Sequence, residues 1–272
     1  MTRASAAAPI PAVLVLLSFL CPTELSLYVE GLRLPPHRVA LIALFPLAVL
    51  RLVSRPDVHL RLYDLMFFLF GVLTVGVFVY HSGGHEGFVY GGSLALESVG
   101  GYVVARAYVR DHATMLATLR ALFWTIAAAA VIALPETLLG QIFTHDLLAR
   151  LTGYIHPIGV ETRAGLTRAY GTFDHPIHYG TFCAAMFALF IYAERTTPKA
   201  RKLTLFFFLA TSLGLSSAPL LCLSLQVGMI VWEISTRSLP SRASLTMVAL
   251  TGLYIGASMF SNRSPIAFVA TG

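Results

Sequence analysis

Two arginines lie in a stretch of the sequence that is rich in glycine, proline and aromatic residues. Residues 153–180 read GYIHPIGVETRAGLTRAYGTFDHPIHYG and include Arg163 and Arg168. A planar guanidinium can donate two hydrogen bonds to one phosphate, so this pair could bind an anionic ligand at a membrane surface. Alternatively, each arginine pairs with Glu161, Asp174 or a lipid headgroup. The spacing alone leaves both interpretations open.

Histidines in two short segments have a spacing that could bind a metal ion. His81 and His85 precede Glu86, and His175 is followed by His178. Each pair adjoins Gly or Pro, which interrupts the helical spacing that would bring the rings together, and neither segment supplies a third and fourth ligand. We therefore predict no metal site and no cofactor.

One carboxylate lies inside an otherwise apolar run of the sequence. An ionised carboxylate within a membrane is unfavourable unless it has a partner or a function. Glu97 is this residue, and we predict that it pairs with Arg120 of the next run. The sequence contains no GxSxG motif and no phosphate-binding glycine loop, so it gives no support to the chemistry of cytosolic enzymes.

The composition indicates which elements must position these residues. The chain has 272 residues, of which 57% are hydrophobic and 12% charged, and its mean hydropathy is +0.76. Soluble domains contain about 25% charged residues, which excludes a single soluble domain. The net charge of +6 comes mainly from arginines that stand singly between apolar runs, which indicates membrane orientation and not nucleic-acid binding. We predict an all-α, polytopic transmembrane bundle that forms one integral membrane domain over residues 1–272.

About nine apolar runs are predicted as membrane spans. The connection between the fifth and sixth, residues 135–175, is by far the longest. Its first part, 136–152, has apolar residues at four-residue steps, which predicts an amphipathic helix on the membrane surface or against the bundle. The nine runs are 10–28, 39–53, 65–80, 88–108, 114–134, 177–193, 203–215, 220–232 and 244–260.

The basic residues are divided unevenly between the two faces that nine spans define. With the N-terminus in the cytoplasm, twelve Arg and Lys residues lie on the inner side and six on the outer side. The positive-inside rule therefore predicts a cytoplasmic N-terminus and places the 135–175 connection on the outer face.

Two segments on either side of one span carry a recognisable pattern. Residues 168–189, RAYGTFDHPIHYGTFCAAMFAL, have an arginine, then Gly-Thr-Phe, then Asp-His-Pro opening a helix. Residues 215–233, LSSAPLLCLSLQVGMIVWE, have paired serines before a proline that starts a span. This pattern resembles the O-antigen ligase and polymerase superfamily, in particular its exopolysaccharide polymerase-like members. Weaker similarities extend from Pro22-Thr23-Glu24 to residues 261–265.

The resemblance implies a multi-pass glycosyltransferase of the bacterial inner membrane, whose 135–175 loop is periplasmic. Its donor would be a saccharide on polyprenyl diphosphate, and its product a surface polysaccharide. In that family, arginines of the outer face hold the diphosphate, a role that falls here to Arg168, with Arg163 and Asp174 as further substrate-binding candidates. His175 and His178 are the candidates for the catalytic base. Membrane lipids and other polysaccharide assembly proteins are the expected partners.

The sequence departs from the family pattern near its end. Family members carry a second large periplasmic loop after the span that here ends near residue 260, and we expect this loop to be missing and the chain to be inactive in polymerisation alone. Two alternatives stay open. A membrane transporter would use the same arginines to bind lipid-linked saccharide without transfer, and a noncatalytic subunit would serve a polysaccharide export complex.

Overall fold

The computed structural model describes residues 7–29, 32–154, 159–194 and 199–260, and it confirms the all-α fold class. Five described helices are long and apolar enough to cross a membrane, compared with the nine predicted spans. The chain is therefore a helical membrane protein with several spans. These five helices are Pro36–Val53, Leu62–Ser82, His112–Leu139, Pro176–Ala193, which a turn at Met186 divides in two, and Ser217–Thr236.

Twelve α-helices follow one another along the described residues. They are α1 (Ile10–Phe19), α2 (Pro36–Val53), α3 (Leu62–Ser82), α4 (Gly84–Ala95), α5 (Gly101–Tyr108), α6 (His112–Leu139), α7 (Phe143–Thr152), α8 (Pro176–Ala185), α9 (Phe187–Glu194), α10 (Lys199–Ser212), α11 (Ser217–Thr236) and α12 (Arg242–Phe260). A π-helical turn, Leu96–Gly100, joins α4 to α5. Two antiparallel hairpins interrupt the helices: β1 (Leu27–Val29) with β2 (Leu32–Leu34), and β3 (Thr162–Arg163) with β4 (Leu166–Thr167).

The first apolar run is helical over only half of its predicted length. Helix α1 ends at Phe19, and the chain continues through a 3-10 turn, Thr23–Leu25, into β1. Pro22 disfavours the helical conformation of the residue before it, which stops the helix. The predicted span 10–28 is therefore wrong in its second half.

Helix α6 is the longest helix and replaces part of the predicted amphipathic helix. The carboxylate of Asp111 caps its first turn by accepting a hydrogen bond from the Thr114 amide at 2.8 Å, which lowers the pKa of Asp111. The helix ends at Leu139, and the next residue, Gly140, has a φ of +73°, which glycine adopts without strain. Residues 136–139 therefore belong to α6, and only α7 is the separate helix that the 136–152 pattern predicts.

The helices of the first 223 residues have two chemically different ends. The end where α6 finishes and α8 begins carries the hairpins and α7, and we call it the loop end. The opposite end, where α2 finishes and α3 begins, carries Arg51, Arg55, Arg61, Arg106 and Arg110, and we call it the arginine end. Between the ends, Val15, Leu41 and Val104 form a buried core that joins α1, α2 and α5.

The chain forms two compact units, Met1–Leu223 and Ser224–Gly272. In the second unit, the Trp232 indole donates a hydrogen bond to the Thr246 hydroxyl at 3.1 Å, which joins α11 to α12. All candidate site residues lie in the first unit. The predicted similarity at residues 261–265 and the expected missing loop after residue 260 fall outside the described residues.

Candidate functional site at the loop end

The β3–β4 hairpin positions both arginines that the sequence singled out. Arg163 is the last residue of β3, and Arg168 follows β4 directly. The amide of Arg168 donates to the Glu161 carbonyl at 2.9 Å, which extends the hairpin ladder by one step. The turn between the strands is Ala164–Gly165, and both residues have a positive φ, as tight hairpin turns require.

The guanidiniums of both arginines donate hydrogen bonds to the short turn between α10 and α11. The Arg168 Nε donates to the Gly214 carbonyl at 3.4 Å, and one of its terminal nitrogens donates to the Ser216 hydroxyl at 2.5 Å. The Arg163 guanidinium donates to the next carbonyl, that of Leu215, at 3.1 Å. The structure therefore brings Arg163 and Arg168 together on consecutive backbone groups.

Glu161 forms an ion pair with the Arg168 guanidinium. The sequence left open whether each arginine pairs with a nearby carboxylate. For Arg168 the structure shows this pairing. The Asp174 carboxylate accepts a hydrogen bond from the Thr23 hydroxyl of the N-terminal segment. Of the three candidate diphosphate-binding residues, Arg163 and Arg168 therefore contact the α10–α11 turn, and Asp174 contacts the N-terminal segment.

Close backbone contacts hold the α10–α11 turn against the start of α8. A side chain at Gly214 would lie 2.8 Å from the Pro176 carbonyl oxygen, and one at Gly180 would lie 2.8 Å from Pro219. Leu215 lies between Gly214 and Ser216, the two residues that Arg168 contacts. Its φ is +45°, which is unfavourable for a residue with a side chain. The sequence thus fixes the position of this turn by packing, at the cost of local strain.

The aromatic ring of Tyr170 connects the arginine pair to the candidate histidines. Its ring centroid lies 6.4 Å from that of His175, whose ring lies 5.9 Å from that of His178. Burial, together with the nearby Glu161 carboxylate, raises the pKa of Tyr170. The phenol is therefore protonated at neutral pH, and it donates to the Gly159 carbonyl at 3.0 Å.

A fully buried carboxylate fixes the backbone just after Arg168. The Glu136 side chain, near the end of α6, accepts hydrogen bonds from the amides of Tyr170 at 3.0 Å and Gly171 at 2.7 Å. Glu136 and Tyr170 are 34 positions apart in the sequence. The carboxylate is the hydrogen-bond acceptor for two buried loop amides, which are outside any helix or strand that could provide one. Glu136 thereby determines where Arg168 and Tyr170 lie.

A buried acid–histidine pair joins the N-terminal segment to α7. Glu24 and His145 are 5% and 4% exposed, and the Glu24 carboxylate contacts the His145 Nδ1. Arg33 supports the same segment by donating to the Thr23 carbonyl at 3.0 Å and the Ser26 hydroxyl at 3.1 Å. The β1–β2 hairpin is thus fastened to the 135–175 loop.

Sequence reasoning missed Glu24, Glu136 and His145 as members of the site. A usable signal was present, because carboxylates in or beside apolar runs are costly without partners. The same rule singles out Glu97, but Arg120, the partner predicted for it, is wrong. Glu97 accepts hydrogen bonds from Arg38 at 2.6 Å and His37 at 3.1 Å, whereas Arg120 is exposed on α6.

Within the part of the chain that the structure describes, no three His, Cys, Asp or Glu residues form a possible metal-binding group.

Comparison of the chain with protein-family models, curated proteins and solved structures gives no match. Its function is therefore inferred from the residues of the site.

Proposed function

We propose that this chain is a bacterial inner-membrane protein that binds a polyprenyl-diphosphate-linked saccharide at its loop end and acts in the polymerisation or ligation of surface polysaccharide. In this proposal, the N-terminus is cytoplasmic, the chain crosses the membrane nine times and the loop end faces the periplasm. The observation that supports it best is the anchoring of Arg163 and Arg168 on one turn.

Among the described residues, the guanidiniums of this pair find protein acceptors for only a minority of their N–H donors. A guanidinium carries five N–H groups, of which Arg168 uses three and Arg163 uses one in contacts with the described residues. Two cations held in place before the ligand arrives can stabilise the negative charge that develops on a leaving diphosphate. Glu161 would orient Arg168 for this role, since the carboxylate occupies only one of its edges.

Glycosyl transfer also requires a base. The acceptor oxygen forms a bond to the anomeric carbon, the bond from that carbon to the diphosphate oxygen breaks with its electron pair on the diphosphate, and the hydroxyl proton passes to the base. His178 fits this role better than His175. The Nδ1 of His175 already accepts from the Ile177 amide at 3.1 Å, so the neutral ring carries its proton on Nε2. The His178 side chain is exposed and makes no hydrogen bond with the described residues.

The binding step can be tested with the purified chain in lipid nanodiscs. We expect polyprenyl diphosphate to bind more tightly than polyprenyl monophosphate, and Arg168→Lys to weaken diphosphate binding about tenfold, since lysine keeps the charge but loses the planar fork. Arg150→Lys is the matched control, because Arg150 is exposed on α7 of the same loop. Equal losses at the two positions would mean that general charge, and not the anchored pair, attracts the ligand.

The transfer step is tested by supplying a lipid-linked repeat unit and measuring glycan extension. Because we expect little or no extension by the chain alone, the assay also includes the polysaccharide assembly proteins predicted as partners. Under conditions that give extension, we expect His178→Ala to lower the rate about 10²- to 10⁴-fold, the usual contribution of a positioned base, and His175→Ala to lower it less. Carriage of the lipid-linked saccharide across a vesicle membrane without extension would instead support the transporter alternative. Binding without either reaction would support the noncatalytic subunit.

A further inference from the structure

An amphipathic cleft opens at the arginine end of the first unit, away from the candidate glycan site. It is a cavity of about 780 Å³, and apolar side chains of α2, α3 and α5 form most of its wall, among them Val49, Phe68 and Val103. A second cavity of about 540 Å³ shares Phe45, Phe68 and Val99 with the first. The two together make an apolar cleft that runs from the arginine end along α3.

The mouth of the cleft has more positive charge than the protein neutralises. Arg55, Arg61 and Arg106 line it, together with a single carboxylate, Asp64. That carboxylate is already occupied, because Arg106 donates to it at 3.0 and 3.4 Å and Tyr102 donates to it as well. Asp64 therefore neutralises Arg106 and leaves the other two arginines in excess.

Neither remaining guanidinium has an acidic partner among the described residues. The Arg55 guanidinium is half-buried and makes no hydrogen bond or ion pair with them. The Arg61 guanidinium lies 5.9 Å from the centre of the Tyr63 ring, a contact that satisfies none of its N–H donors. Two cations at the mouth of an apolar cleft match a molecule with a single anionic head and a hydrocarbon tail.

We infer that this cleft binds an anionic membrane phospholipid, with its phosphate against Arg55 and Arg61 and an acyl chain along the apolar wall. The charge at the mouth selects an anionic headgroup over a zwitterionic one. The wall selects a lipid over soluble phosphate, because phosphate alone would leave the apolar surface uncovered. The site is separate from the loop end and does not depend on the function proposed there.

The test uses the purified full chain in mild detergent and native mass spectrometry. The probes are phosphatidylglycerol, phosphatidylcholine with the same acyl chains, and glycerol phosphate. We expect preferential retention of phosphatidylglycerol, and a loss of about fivefold in its binding for each of Arg55→Gln and Arg61→Gln. Arg51→Gln is the matched control: it removes the same charge one turn earlier in α2, but Arg51 does not line this cavity.

A second variant tests the apolar wall and leaves the arginines in place. Val49→Trp fills the cleft from an exposed position on α2, and we expect it to abolish retention of phosphatidylglycerol. Equal retention of the two lipids, or an equal loss in Arg51→Gln, would overturn the proposal. So would competition by glycerol phosphate at the lipid concentration, or unchanged binding in Val49→Trp.

Discussion

Several charged side chains are buried and paired at the loop end of the first unit, whereas several at its arginine end are open to solvent and, among the described residues, unpaired with carboxylates. At the loop end, Glu24, Glu136 and His145 are nearly or fully buried, and each contacts a protein group. At the arginine end, the guanidiniums of Arg55 and Arg61 face an open cleft and lack acidic partners among the described residues. Charge at the loop end therefore holds the backbone together, whereas charge at the arginine end is available to an external anion. Substitutions should accordingly affect stability at the first end and lipid binding at the second.

Glu136→Ala should have the largest effect on stability. It leaves the buried amides of Tyr170 and Gly171 without their acceptor, which costs about 2 kcal/mol for each, or about 4 kcal/mol in total. Glu136→Gln keeps a carbonyl oxygen at the same place and should cost much less. The readout is thermal unfolding in detergent, followed by a thiol-reactive dye on Cys183, which is fully buried, with Cys21 and Cys222 replaced by alanine. If glutamine proved as damaging as alanine, the carboxylate charge and not its acceptor geometry would be essential.

His145→Ala should follow, with a loss of about 3 kcal/mol. Removing one member of a buried acid–base pair is costly because the Glu24 carboxylate keeps its burial and loses the imidazole. The same dye assay measures it. His112→Ala, at an exposed position of α6, is the control and should leave the unfolding temperature unchanged. An unchanged unfolding temperature in His145→Ala would show that the pair does not fasten the N-terminal segment.

Tyr102→Phe tests the paired part of the arginine end and should cost about 1 kcal/mol. The substitution removes one hydrogen bond to Asp64, but Arg106 still neutralises the carboxylate. The ring of residue 102 can still stack on Phe67, at a centroid distance of 4.1 Å. A loss comparable to that of Glu136→Ala would contradict the contrast between the two ends.

Arg51→Gln should have the smallest effect, about 0.5 kcal/mol or less, because the exposed guanidinium only lies 4.7 Å above the Tyr108 ring. The same change at Arg168 removes three hydrogen bonds, one of which is the ion pair with Glu161, and should cost about 2 kcal/mol. Comparing the unfolding temperatures of the two variants measures the contrast with matched chemistry. Similar values would mean that the arginines of both ends are equally dispensable for the fold.

Much of the helical architecture could be predicted from composition and apolar run length. The helices α2, α3 and α6 fall where the runs at 39–53, 65–80 and 114–134 predict them. The end of α1 was also encoded locally, by Pro22, although the prediction extended the span beyond it. The boundary at Gly140 is likewise a local signal, because a glycine that ends a helix adopts a positive φ.

The candidate site was less predictable because its contacts join distant positions. The arginines stood out by residue type, but nothing local indicates that Arg168 reaches Ser216, 48 positions away. The wrong partner of Glu97 has a similar cause. Adjacent spans in the sequence need not turn their polar residues towards each other, and α2, which packs against the π-helical turn, brings Arg38 to Glu97 instead.

The contact between Glu24 and His145 also has a consequence for the biosynthesis of the chain. Because 121 positions separate the two residues, the contact cannot form until the ribosome has released α7. Until then, the Glu24 carboxylate of the nascent chain must keep water or another partner, since an ionised group is costly to desolvate. The β1–β2 hairpin therefore docks late, after α6 has been inserted into the membrane. A nascent chain whose α7 is still inside the ribosome would expose this hairpin to proteases, and one whose α7 has emerged would protect it.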